Sequence, residues 1–182
     1  HTELSPLHDK AVRSAIAHII NYDSMAKIIG NSSTPGAAPF PPSANLGFDS
    51  IANKPMTDVA KADQLLTQAG YAKNANGIYA KDGKELALTL AIWGKDTSLY
   101  EEIQQELKQA GIAVTLKKLQ GPGEVDTLGA DSFDMVERAV VTMSTNDPYW
   151  YLSLFYKTGA KANVGAYSNP QVDALIDRLS VT

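Results

Sequence analysis

The sequence predicts an α/β fold in which helices pack on a mixed β-sheet. One observation is a strand–helix–strand succession, in which two apolar segments, 86–93 and 112–119, enclose a predicted helix over Ser98–Ala110. Parallel strands need a crossover connection of this kind, so the succession predicts one βαβ unit. The other observation is a series of capped amphipathic helices on both sides of this unit, which suits helices packed on a sheet.

The first helices lie near the amino terminus. Apolar residues recur at helical spacing in Lys10–Ile20 and predict an amphipathic helix. After an interruption, Asp23 or Ser24 is the predicted N-cap of a second helix that ends at Gly30. Residues 31–55 lack periodicity and contain an extended PFPP cluster, so they predict a long loop that is functional or packed across a neighbour.

Capping and turn signals define the middle and the end of the chain. Asp58 is the predicted N-cap of a helix that stops at Gly70. Asp82-Gly83, between short strand-like segments, predicts a hairpin turn. A short helix is predicted over 124–129, and Asn169-Pro170 predicts the start of the last helix.

The stretch Phe133–Tyr156 is the strongest candidate for a functional region. It predicts a strand over Phe133–Val141, a polar turn, and a helix that Asp147 caps and Pro148 begins. In an open α/β sheet, ligands bind at the carboxyl ends of strands, where such a turn lies. Five of the fourteen aromatic residues fall within Tyr149–Tyr156, so we expect a binding site here.

Composition excludes several functions. The chain has 182 residues, a formal net charge of -4 and no run of lysine or arginine, which argues against nucleic-acid binding. Its apolar stretches are too short to span a bilayer, and the absence of cysteine excludes thiol catalysis and cysteine-ligated metal sites. The chain begins in a loop-like segment and ends inside a predicted helix, so we interpret residues 1–182 as a single domain of a larger protein.

Catalysis lacks the residues that it needs. The histidines, His1, His8 and His18, lie in no recognisable arrangement with a nucleophile, and no P-loop, GxSxG or HExxH motif occurs. Three scattered histidines give no ligand set for a resident metal, and no cofactor is predicted. The sequence therefore predicts a binding protein rather than an enzyme, and an interaction module without its own ligand is the alternative.

Six polar or aromatic residues in and beside the predicted turn are the candidate ligand contacts: Arg138, Asn146, Asp147, Tyr149, Trp150 and Tyr151. Arg138 must reach an anion or solvent, because burying an unpaired charge is costly. An ion pair with Glu137 and contact with a ligand both stay open. Helix capping alone accounts for Asp147 and is compatible with ligand contact. For Trp150, core packing is the default, and lining a cleft is the alternative.

Several segments, in order along the chain, resemble the extracellular solute-binding proteins of family 5, the dipeptide-, oligopeptide- and nickel-binding receptors of ABC importers. They are PLHDKAVRSAIAHIINYDSMAKII, MTDVAKADQLLTQAGY, DGKELALTLAIW, YEEIQQELKQAGIAVTLKKL, FDMVERAV, NDPYWYLSLFY and NVGAYSNPQVDALIDRL. The most specific part is YSNPQVDALI. One departure is local, since the family commonly has Asp-Arg where this chain has Asn21-Tyr22.

This resemblance implies a fold, a function and a location. The fold is a type II periplasmic-binding-protein lobe. Residues 1–182 correspond to the second lobe of a two-lobe receptor, and the first lobe belongs to another part of the same full-length polypeptide. The function is capture of a small solute, a metal chelate or a short peptide, for delivery to an ABC transporter permease. The location is the extracellular side of the cytoplasmic membrane, where such receptors are periplasmic or lipid-anchored.

The resemblance also favours one ligand. In peptide-binding members, an aspartate at the place of Asp147 pairs with the α-amino group of the ligand. In the nickel branch, an arginine on this strand precedes a TGDP-like turn, as Arg138 precedes Thr145–Pro148 here, and arginines meet the carboxylates of the chelator. Chelated nickel is therefore the predicted ligand, and an oligopeptide or dipeptide is the alternative.

Overall fold

The computed structural model describes residues 5–30, 56–128, 132–138, 140 and 147–180. The described residues up to Arg138 form one compact unit, and those from 140 onward belong to a second. The predicted loop over 31–55 lies outside the described residues. Within the described ranges, no helix is long and apolar enough to cross a membrane.

The two helices near the amino terminus are present. Helix α1 spans Lys10–Ile19, and α2 spans Tyr22–Ile28. The predicted cap of α2 at Asp23 or Ser24 is wrong, because Asn21 is the N-cap and its side-chain oxygen accepts the Ser24 N–H at 3.1 Å. The Asn21 N–H in turn donates to Glu106 Oε2 at 3.0 Å, which fixes the start of α2 from a distant part of the chain.

A helix and a small sheet follow. Helix α3 spans Val59–Gln68, and its predicted cap is confirmed because the Asp58 carboxylate accepts the Lys61 N–H at 2.8 Å. Three short strands, β1 (Ala72–Lys73), β2 (Tyr79–Lys81) and β3 (Lys84–Glu85), form an antiparallel sheet in that order. The turn between β2 and β3 has positive φ at Asp82 (52°) and Gly83 (75°), as a type I′ hairpin requires.

The predicted βαβ unit is confirmed. Strand β4 (Ala87–Ile92) leads through α4 (Ser98–Ala110) to β5 (Ala113–Lys118), and the two strands pair in parallel. Strand β6 (Met135–Val136) pairs in parallel with the other side of β4, so the strand order is β5-β4-β6. The described strands are thus divided between one antiparallel and one parallel sheet.

Strand β6 is much shorter than the predicted strand over Phe133–Val141. Main-chain and side-chain bonds together continue the attachment to β4 beyond both ends of β6. The N–H groups of Asp134 and Glu137 donate to the carbonyls of Thr89 and Ala91 at 2.9 Å, and their carboxylates accept the N–H groups of Thr89 and Trp93 at 2.7 Å and 2.9 Å. The chain beyond β6 includes residues that the structure does not describe. The predicted short helix over 124–129 is also displaced, since a 3₁₀ helix spans Pro122–Thr127.

The hydrophobic core covers both faces of β4. On one face, Leu86 and Leu88 pack in a cluster with buried residues of α1, α3 and α4, among them Val12, Leu66 and Leu107. On the other face, a smaller cluster contains Ala91, Leu119 and Val125. Burial of both faces is typical of the central strand of a parallel sheet, so β4 is a rigid reference for the residues at its carboxyl end.

The second unit contains two helices with the predicted starts. Helix α5 spans Pro148–Phe155 and α6 spans Pro170–Leu179, each with proline in its first turn. The Asn169 side chain caps α6 by accepting the N–H groups of Gln171 and Val172. Ile176 of α6 is buried, whereas no residue of α5 is fully buried.

Asp134 links three parts of the first unit. Its Oδ1 accepts the Ser5 hydroxyl at 2.6 Å, and its Oδ2 accepts the Thr89 N–H. Asp134→Ala is expected to lower the free energy of unfolding by about 2 kcal/mol, because the N–H of a central strand loses its partner. Asp134→Asn keeps one accepting oxygen and is expected to lose less. Denaturant unfolding measures both, and equal losses would contradict the importance of the bond to Thr89.

Candidate functional site

The carboxyl edge of the parallel sheet is a natural place for a ligand. From β4 the chain crosses through α4 to β5 on one side, and it later returns to β6 on the other side. In open α/β sheets, ligands bind outside the carboxyl ends of the strands at such a reversal of strand order. Trp93 follows β4 there, and Glu137 and Arg138 follow β6.

Glu137 is held firmly at this edge. Its N–H donates to the Ala91 carbonyl at 2.9 Å, and its Oε2 accepts the Trp93 N–H at 2.9 Å. The Tyr100 hydroxyl also hydrogen-bonds to Glu137, and burial together with this carboxylate raises the pKa of Tyr100. Tyr100 lies in the first turn of α4, so Glu137 joins β4, β6 and α4.

Arg138, the first candidate contact, lies directly after this anchor. Its side chain is exposed, whereas Glu137 is half-buried. The predicted strand does not extend to Arg138 within the described residues, because β6 ends at Val136. An exposed arginine at the carboxyl edge of the sheet suits contact with an anionic ligand.

Asp147 has the capping role that the sequence predicts. Its Oδ1 accepts the Tyr149 N–H at 2.8 Å, and Pro148 follows as the first residue of α5. A carboxylate at this end is favourable because the amino terminus of a helix carries partial positive charge. Asp147 is exposed, so capping leaves it accessible to solvent.

An aromatic cluster extends from α5, and we define it as Trp150, Tyr151, Phe155, Tyr156 and Tyr167. Ring centroids lie 5.0 Å apart for Tyr151–Phe155, 6.4 Å for Trp150–Phe155 and 6.2 Å for Tyr156–Tyr167. The inclined and edge-to-face arrangements are those that aromatic pairs prefer. Trp150 is nevertheless 39% exposed, so full burial in a core does not account for it.

The Tyr151 hydroxyl has a hydrogen-bond partner within the cluster, the side chain of Tyr156. Partial burial, followed by a hydrogen bond with Tyr156, raises the pKa of Tyr151 to about 12. A tyrosine hydroxyl with the usual pKa is already neutral at physiological pH, so this shift changes no charge there. Tyr149, at the start of the same helix, is half-buried.

The connection between α5 and α6 is held by side-chain bonds that place Tyr167. Asn163 Nδ2 donates to the Tyr167 carbonyl at 2.7 Å, and Asn163 Oδ1 accepts the Tyr167 N–H at 3.0 Å. Lys157 forms an ion pair with Asp177 of α6, and the Thr158 N–H donates to Asp173 at 2.9 Å. Hydrogen bonds from Thr158 hold the pKa of Asp173 below its usual value.

The structure places the six candidate residues in different ways. Asp147, Tyr149, Trp150 and Tyr151 lie together at the start of α5, and Arg138 lies in the other unit. Asn146 lies outside the described residues. Contact of the six with one ligand stays a prediction.

Sequence reasoning missed two residues that contact neighbours of the candidate residues. Tyr167 joins the aromatic cluster through Tyr156, and Tyr100 meets Glu137. Tyr167 lies in the YSNP segment, but no local pattern links it to the start of α5. Tyr100 carries no sequence signal, because its contact depends on how α4 packs beside β4.

Comparison with known families gives a match over most of the chain. Residues 1–163 match the family described as Bacterial extracellular solute-binding proteins, family 5 Middle. A curated relative is the Probable deoxycholate-binding periplasmic protein YgiS of Escherichia coli (strain K12). It is 27% identical, and the match covers 97% of this chain and 32% of the relative.

Solved structures similar to this chain include receptors for different ligands. The nickel ABC transporter from Bacillus halodurans has a TM-score of 0.83 and 26% identity, over 97% of this chain and 37% of that one. Lactococcal OppA, complexed with an endogenous peptide in the closed conformation, has a TM-score of 0.80 and 27% identity, over 94% and 34%. The predicted type II periplasmic-binding-protein fold is thereby confirmed, and the chain spans about a third of the length of these relatives.

Proposed function

This chain belongs to family 5 of the bacterial extracellular solute-binding proteins, and we propose that it is the second lobe of a receptor that captures a metal chelate for ABC import. The match over residues 1–163 is the observation that carries the proposal. Members of this family are transport receptors rather than enzymes, which agrees with the prediction from the missing nucleophile–base pair. The family is periplasmic or extracellular, and a lipid anchor for this receptor is part of the proposal.

The length of the relatives supports assignment to one lobe of two. This chain accounts for 32% to 37% of the relatives described above. In the proposal, another part of the receptor supplies the first lobe and completes the cleft. Closure of the two lobes about a hinge then removes the ligand from solvent, and the closed receptor delivers it to the permease.

Chelated nickel suits the chemistry of the candidate residues. A guanidinium binds a carboxylate through two parallel hydrogen bonds, so the exposed Arg138 is suited to the carboxylate of a chelator. Trp150 and the rings beside it offer apolar and π surface to the carbon skeleton of a chelator. The similarity to a nickel ABC transporter at 26% identity supports this ligand class.

A peptide is the second candidate ligand, and Asp147 is the residue that favours it. Its exposed carboxylate suits the α-amino group of a peptide, and capping of α5 leaves it accessible to solvent. The similarity to lactococcal OppA at 27% identity supports this alternative. An interaction module without a ligand is the remaining alternative from another class.

A ligand screen with the full-length receptor tests the proposal. A ligand that binds only the folded state raises the free energy of unfolding, by about 2.7 kcal/mol when its concentration is 100 times Kd. The melting temperature rises as a result. We expect nickel(II)–L-histidine to raise the melting temperature more than tripeptides or deoxycholate do. A larger shift with peptides would support the alternative receptor, and no shift with any of them would contradict the import proposal.

A further inference from the structure

We propose that Glu137 is a positioning residue that fixes the main chain carrying Arg138 and so sets the preference of the receptor for carboxylate-bearing ligands. This inference rests on the proposed function, because it concerns the same site. It assigns a role to a residue that contacts no ligand itself.

The contacts of Glu137 attach the chain to β4 just beyond the end of β6. Within the described residues, the pairing of β6 with β4 ends at Val136. Glu137 continues the attachment by two routes, since its N–H donates to the Ala91 carbonyl and its Oε2 accepts the Trp93 N–H, both at 2.9 Å. The main chain is thus tied to the central strand one residue before Arg138.

The attachment also includes a helix. The Tyr100 hydroxyl hydrogen-bonds to Glu137 from the first turn of α4. Strand β4 and helix α4 both contribute buried residues to the core. Glu137 therefore connects the main chain beside Arg138 to two well-packed elements. Rigid support of this kind matters for binding, because ordering a flexible segment when the ligand binds lowers the affinity of the receptor.

The charge of Glu137 makes the proposal testable by sign. A carboxylate beside Arg138 repels the carboxylate of a ligand, so removal of its charge alone should strengthen recognition of that group. Loss of positioning should weaken it. Glu137→Ala removes both the charge and the hydrogen bonds, whereas Glu137→Gln removes the charge and keeps an oxygen that accepts the Trp93 N–H.

The experiment measures the affinity of the full-length receptor for two probes, nickel(II)–L-histidine and nickel(II)–L-histidinamide. The second probe replaces the carboxylate with an amide, so the ratio of the two affinities reports recognition of the carboxylate. Glu137→Ala is expected to lower this ratio about tenfold, and Glu137→Gln to leave it at the wild-type value or raise it by up to about twofold.

Asp134 provides the matched control. Its carboxylate accepts a main-chain N–H of β4 at the other end of β6, as the Glu137 carboxylate accepts the N–H of Trp93 directly after β4, and both residues are half-buried. Asp134→Ala is expected to lose stability as Glu137→Ala does but to keep the wild-type ratio. Arg138→Ala should lower the ratio, and adding Glu137→Ala to it should lower the ratio no further, because the two residues act through one contact.

The outcomes separate this inference from the proposed function. If Arg138→Ala lowers the ratio and Glu137→Ala leaves it unchanged or raises it, Glu137 does not position Arg138 and only this inference fails. An equal fall with Asp134→Ala would also overturn it, since general destabilisation would then be the cause. If the wild-type receptor binds neither probe, the proposed function fails and this inference fails with it.

Discussion

Gly111→Ala is expected to lower the free energy of unfolding by about 3–5 kcal/mol, from backbone strain combined with steric overlap. Gly111 ends α4 with φ of +103°, a conformation that residues with a Cβ rarely adopt. A Cβ there would lie 2.7 Å from the Gly77 carbonyl oxygen, closer than real Cβ contacts allow. The Gly111 carbonyl accepts the Tyr79 N–H at 2.9 Å, so the two segments cannot separate without losing this bond.

Gly70→Ala is the matched control for this prediction. Gly70 follows α3 with φ of +89°, but a Cβ there would meet only the flexible end of Lys81, at 3.7 Å. The control is expected to lose about 1 kcal/mol from backbone strain alone. Denaturant unfolding of both variants gives the difference. Similar losses for the two would show that the approach of Gly111 to Gly77 costs nothing, contrary to the prediction.

Local signals explain why much of the fold is predictable from the sequence. Asp58, Asp147 and Asn169 each precede a helix, and each side chain accepts a main-chain N–H of the first turn. Asp82-Gly83 forms the turn that its residue types favour. In each case the two partners lie within a few residues of each other, so a short stretch of the sequence contains both.

The start of α2 shows where local signals fail. Four consecutive residues, Asn21 to Ser24, offer several candidate caps, and the contact that distinguishes Asn21 comes from Glu106 on α4. Glu106 is half-buried, and no local pattern in the sequence links it to Asn21. Asn21 occupies the place of the aspartate that the family commonly has, and an asparagine oxygen caps a helix equally well.

The predicted length of strand β6 is wrong for a related reason. The residues FDMVERAVV have the composition of a strand, and nothing local shows that Asp134 and Glu137 bind β4 through their side chains. These side-chain bonds depend on the parallel register in which Leu90 pairs with Met135 and Ala91 pairs with Val136. The candidate site was predictable in the same uneven way. The capped start of α5 follows from local residues, whereas the anchor beside Arg138 follows from tertiary packing.

Trp150→Ala is expected to lower the affinity of the full-length receptor for the nickel chelate about 100-fold, which corresponds to about 2.7 kcal/mol. A tryptophan that becomes buried against a ligand contributes a large apolar surface at little cost in side-chain entropy. Trp150 is 39% exposed in a helix that has no fully buried residue, so a ligand can cover it. Isothermal titration of the receptor measures the loss, and Trp150→Phe is expected to recover part of it.

Tyr167→Ala separates ligand contact from support of the helices. Tyr167 is 41% exposed and, like Trp150, has one edge-to-face ring contact among the described residues, which it makes with Tyr156 at 6.2 Å. Both alanine variants should therefore lose similar stability, because each removes a half-exposed ring from the same cluster. Only Trp150, one turn or less from the capped start of α5, is expected to change affinity. If Tyr167→Ala weakens binding as much as Trp150→Ala does, the cluster acts by supporting the unit, and Trp150 is not a ligand contact.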